Sequence, residues 1–208
     1  MSASAAGEVI PEPEDPRLVA ANLSVGARLF ASAMAFVFMA FVFAFFYLKA
    51  VNSNGLWRPP HTNPTQAYGI ATLVCVLATA AVFELARRGL VANGGGWIAA
   101  LAVSLALGIA VVVLCVLQIL NAKFSAYDGG GYASVFYGWI SMFTLFWLGA
   151  VYWIETLLAT GIRRLPVPEQ PGTDPVLLLR PAASGCVVFL GTMAVVGLFV
   201  YVLLYLIK

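Results

Sequence analysis

Five apolar runs, each long enough to cross a bilayer, occupy most of this 208-residue chain: Leu29–Leu48, Ala67–Ala86, Trp97–Ile119, Tyr132–Ala159 and Ala182–Ile207. A hydrocarbon layer about 30 Å thick needs roughly 20 apolar residues at a helical rise of about 1.5 Å each. Every run reaches that length, so the expected fold is all-α: a polytopic membrane bundle of five transmembrane helices in one domain over 29–208. A spanning β-barrel would need strands of roughly 10 residues with alternating polarity. Phe36 to Phe46 shows no such alternation, and helices satisfy their own backbone groups in lipid. Composition excludes an ordinary soluble domain, with 62% hydrophobic and 10% charged residues.

The first 28 residues are rich in Ala, Pro and acids, and read as a disordered cytoplasmic tail. Acids precede a first run of full spanning length, the reverse of a secretory signal, so the first helix is expected to stay in the mature chain. An internal amino terminus puts seven of the eleven basic residues on the cytoplasmic side: Arg17, Arg28, Arg87, Arg88, Arg163, Arg164 and Arg180. Five crossings then send the carboxyl terminus outside. A net charge of +2 with no basic aromatic patch excludes a nucleic-acid partner. Anionic lipid accounts for the Arg pairs instead.

Two connections are long: a polar outer loop from Asn52 to Gln66, and an inner one from Arg163 to Pro181 with five prolines. Proline restriction predicts that both are ordered. Gly94–Gly96 and Gly129–Gly131 each precede a helix and read as turns.

Few residues inside the runs offer chemistry. Cys75, Cys115 and Cys186 fall singly in separate helices and read as core filler. His61 is the one histidine and lies in the outer loop, so the chain has no ligand set for haem or copper of its own. Glu84 stands three and four residues before Arg87 and Arg88, the spacing of a helical ion pair. Glu155 has no basic residue within four positions, which calls for a partner subunit, a polar cavity or protonation. Gln118 and Asn121 read as interhelical hydrogen-bonders. Trp57, Trp97, Tyr127 and Tyr132 mark run ends and read as an interfacial aromatic belt. Small residues at Ala102, Ala106 and Ala110, with Ser104 and Gly108 offset by two, predict close helix contact, as do Ser134 and Gly138. Seven phenylalanines between Phe30 and Phe46 surround the first helix and suit acyl chains, another subunit or core packing.

Taken in order, these features resemble the short, five-helix bacterial form of haem-copper terminal oxidase (cytochrome c oxidase) subunit III, over about Ser24 to Lys208. Asn54-Gly-Leu-Trp57-Arg-Pro59-Pro60 is similar to that family's Trp-Pro-Pro outer loop. Tyr132-Ala-Ser134-Val-Phe136-Tyr137 is similar to its Tyr-Gly-Ser-x-Phe-Tyr entry into the fourth helix. The chain departs from the family where polar chemistry sits. Gly138 to Trp147 holds no histidine, the first-helix glutamate position falls near Met34, and the last helix reads Cys186-Val-Val-Phe-Leu-Gly191.

The resemblance implies a non-catalytic subunit in a bacterial cytoplasmic membrane, packed beside catalytic subunit I and other oxidase subunits. Haem and copper would belong to that partner, and phospholipid would fill a cleft between helix groups. With the polar positions lost, the expected role is structural and lipid-mediated stabilisation. Two other classes stay open: a small transporter or channel with Glu155 on a polar path, and an assembly or anchor subunit of another complex.

Overall fold

The computed structural model describes residues 16–52, 55–60, 62–92, 94–164 and 179–207. Five helices follow one another: α1 (Pro16–Val51), α2 (Gln66–Val91), α3 (Trp97–Leu120), α4 (Gly130–Arg164) and α5 (Leu179–Tyr201). The last helix continues into a π turn over Val202–Leu206. Each of the five is long and apolar enough to cross a membrane. Successive helices run in opposite directions, as the contacts of Gln66, Gln118 and Tyr132 with residues 204–205 at one end and of Ala27 with Gly185 at the other require. The bundle therefore has one end carrying the Trp57 loop, the 121–129 turn and the π turn, and an opposite end carrying most of the arginines.

Most helices outrun the apolar runs that reveal them. Residues 16–28, expected in a disordered tail, are the first turns of α1. Pro16 suits a first helical position, and the Leu and Ala residues that follow form helix readily without needing lipid. Residues 1–15 lie outside the described residues, as do His61 and the 165–178 connection on which most of the inner-loop prolines fall. Asn52 and Asn121 close α1 and α3 by donating their side-chain amides to the Leu48 and Leu117 carbonyls, at 2.9 and 2.8 Å. Gly96 and Gly130 take left-handed φ values of 87° and 64°; the first glycine run forms the turn expected before α3, whereas Gly130 and Gly131 of the second already open α4.

The most extensive packing joins α2 to α3; α3 then packs on α4, and α5 touches α1, α2 and α4. Trp139, Trp147, Phe143 and Phe45 are buried between them. The stripe of α3 that enters this core is Leu101, Ser104, Gly108, Val111 and Cys115, not the expected alanine repeat. Ala102 and Ala106 face outward. Polar contacts decide the rotation of the helix: Ser104 Oγ donates to the Thr79 carbonyl at 3.2 Å, and Trp147 Nε1 donates to the Gly108 carbonyl at 2.9 Å. Gly138 meets the Phe41 ring of α1, while Ser134 faces outward. At the arginine end, Gly185 lets α5 approach Ala27 of α1.

Candidate functional site

The residues that the two sequence motifs single out, 75 positions apart, come together at one end of the bundle. Asn52 accepts from the Trp57 amide at 3.1 Å, and Gly55, at φ 82°, lets the chain turn back between them. The loop then crosses the start of α4. There the Leu56 and Trp57 carbonyls accept from the amides of Gly131 and Tyr132, at 3.4 and 2.9 Å. First-turn amides have no partner within their own helix, so a loop from elsewhere caps α4 with its backbone. Gly130 makes room for it, since a Cβ there would collide with the Leu56 carbonyl oxygen.

Side chains seal the same junction. Trp57 is buried and meets Phe45 and Tyr132 edge to face, at 5.1 and 5.9 Å between ring centroids. The Arg58 guanidinium lies 4.3 Å from the centre of the Tyr132 ring, near enough for cation–π attraction. Its Nε donates to the Thr62 carbonyl at 3.1 Å and its Nη2 to Asn63 Oδ1 at 2.8 Å. Pro59 begins the turn that brings Thr62 into place, with the Thr62 amide 3.2 Å from the Pro59 carbonyl; Pro60 is exposed. The Tyr132 hydroxyl donates to the Leu204 carbonyl at 2.6 Å. Phe136 is buried against Phe124, and Tyr137 donates to the Phe124 carbonyl. Ser134, the remaining motif position, takes no part.

Trp57 and Tyr132 are thus core residues and not members of an interfacial belt. Burial follows from the loop folding over the bundle end, which run-end position does not reveal. Trp97 is half-buried, its ring accommodated by Gly161, while Tyr127 is almost wholly exposed.

Next to the junction, Gln118 is buried and donates its amide to the Tyr205 hydroxyl. Gln66 donates to the Tyr205 carbonyl at 3.0 Å. These bonds realise the interhelical role expected of Gln118, whereas Asn121 only caps its own helix. Neither Tyr205 nor Gln66 stands out in the sequence. The π turn that carries Tyr205 inward has no pattern by which to find it, although Gly69, directly beneath the ring, is an unusual residue for a helix interior.

The acidic pair of candidates lies elsewhere. Glu84 receives Arg87 Nε at 2.7 Å and Arg88 Nε at 2.8 Å, the ion pair that the spacing predicts. Glu155 is exposed on the outer face of α4. Cys115 and Cys186 are buried singly, Cys75 partly, and Met34 is buried. Among the described residues no three His, Cys, Asp or Glu side chains converge as a metal site would require.

No protein-family model matches this sequence, and no curated protein matches it.

Proposed function

We propose that the chain is a divergent subunit III-like component of a respiratory haem-copper terminal oxidase, seated in a bacterial cytoplasmic membrane beside the catalytic subunit. The observation that carries this reading is the junction. The two segments that resemble the family, the Trp57 loop and the Tyr132 helix entry, bond to one another through the Tyr132 amide and the Trp57 carbonyl at 2.9 Å. Unrelated chance likenesses at two distant positions have no reason to form one packed unit. The family's first-helix glutamate position falls near buried Met34, and the last helix carries Cys186-Val-Val-Phe-Leu-Gly191 in place of the family's polar pattern, in keeping with a role in assembly and not in proton handling. Lipid and subunit I have an apolar surface to meet on α1, where Phe36, Met39 and Phe43 point outward. Haem and copper would supply the redox chemistry in the partner.

A transporter path through the chain finds less support. Glu155 and Ser141 face outward, and Thr144 donates to the Ile140 carbonyl of its own helix at 2.7 Å. Purification from native membranes in mild detergent tests the proposal. Co-elution with a haem-bearing subunit, seen in the absorbance spectrum, is the expected result. A chain that elutes without any haem protein under the gentlest extraction overturns it.

A further inference from the structure

Beside the Gln118–Tyr205 contact lies a cavity of ≈ 20 Å³ between α2, α3, α4 and α5. We propose that it holds one ordered water molecule, bridging the Thr72 hydroxyl to the Tyr205 hydroxyl. The first ground is Thr72 itself. Thr79, Thr144, Thr156, Thr160 and Thr192 each donate to the carbonyl four residues earlier, at 2.7 to 2.9 Å. Thr72 makes no such bond, and its Oγ1 is buried without any protein partner. A buried hydroxyl in that position is normally satisfied by water when protein does not reach it.

The second ground is the chemistry of the opposite wall. The Tyr205 hydroxyl accepts from Gln118, which leaves its own hydrogen to donate. Tyr201 and the Gln118 amide line the same space. A single water needs roughly 10–15 Å³ and two to four polar partners, and this site supplies both. Val76, Ile140 and Phe143 line the remaining sides, and the small volume admits little else. Access is short, because Thr72 is about 9 Å along α2 from Gln66 at the bundle end.

The π turn makes the site. Leu203, Leu204 and Tyr205 are three consecutive buried residues, which the usual helical period does not place on one face. Gly69 keeps the space open for the ring, since a Cβ there would come within 2.8 Å of Tyr205. The water would tie α2 to this turn, completing a polar contact that side chains alone leave unfinished. The proposal does not depend on the oxidase reading.

A density map of the full chain in lipid or detergent, at a resolution that shows other buried waters, tests it. The expected result is a peak within hydrogen-bond distance of Thr72 Oγ1 and the Tyr205 hydroxyl, absent in Thr72→Val. An empty cavity, or a Thr72 hydroxyl turned onto the Tyr68 carbonyl, overturns it. Melting temperature gives an independent readout. Thr72→Val should melt below the parent and Thr72→Ser close to it. A Thr72→Val protein that melts at or above the parent would mean that an orphan hydroxyl has been removed, and the water site would be wrong.

Discussion

Tyr132 hangs from Trp57: its amide donates to the Trp57 carbonyl at 2.9 Å, and the two rings meet nearly perpendicular, 5.9 Å apart. Backbone and side chain thus hold one loop residue to one helix residue twice over. Arg58 covers the same ring from the other side of the loop backbone.

Gly130 is held to glycine on two counts, a φ of 64° and the Leu56 carbonyl where its Cβ would be. Gly130→Ala should cost about 1–3 kcal/mol or more. Gly149, in the same helix, has nothing near its missing Cβ. Gly149→Ala should be neutral or stabilise by about 0.5–1 kcal/mol. Equilibrium unfolding of both variants in one detergent gives the contrast; equal effects would contradict it.

Tyr132→Phe keeps the ring and deletes the bond to the Leu204 carbonyl. The expected loss is about 1 kcal/mol. Amide hydrogen exchange should quicken over residues 202–206 while α2 and α3 stay protected. Uniform quickening along the chain would show that the hydroxyl serves the whole fold and not the π turn.

Gly69→Ala pushes a methyl group into the Tyr205 ring. Overpacking of that kind costs about 1–3 kcal/mol. Trimming the ring in a Gly69→Ala, Tyr205→Leu double variant should recover part of the loss, because the two residues share one contact. Strict additivity in a thermal melt would place the damage somewhere other than Tyr205.

The two intramembrane acids should behave differently. Glu84→Gln breaks a partly exposed ion pair and should change stability by less than about 1 kcal/mol. Glu155→Gln touches no partner among the described residues, so the isolated protein should stay within about 0.5 kcal/mol of the parent. If α4 docks on an oxidase, the same substitution should weaken retention of the haem subunit during purification. Destabilisation of the isolated chain by Glu155→Gln would instead point to an internal role.

Helix number and type were plain from hydrophobicity, because spanning length is a strong physical constraint. Helix ends were not. An apolar run reports only what must avoid water, and α1 and α4 extend well past theirs on residues that tolerate either environment. The face of α3 was misread for a related reason. Ala102, Ala106 and Ala110 have the right size for contact, but Ser104 and Gly108 carry the hydrogen bonds that turn the helix. Trp57 and Tyr132 were visible as motif residues and invisible as neighbours. Their meeting depends on a left-handed Gly130, which a run of three glycines announces only as a turn. The Glu84 pair was fully legible, since i+3 and i+4 spacing is local.

The attachment of the π turn also bears on the order of assembly. Gln66 and Tyr132 both bond to the carbonyls of residues 204 and 205, and Gln118 bonds to the Tyr205 ring hydroxyl. These acceptors are made last among the five helices. Until they arrive, Gln118 on α3 and Tyr132 on α4 hold an amide and a hydroxyl in largely apolar surroundings with their final partners missing, while Gln66 on α2 stands exposed at the bundle end. The fifth helix thus acts as a keystone, one turn of it satisfying polar groups that three earlier helices carry.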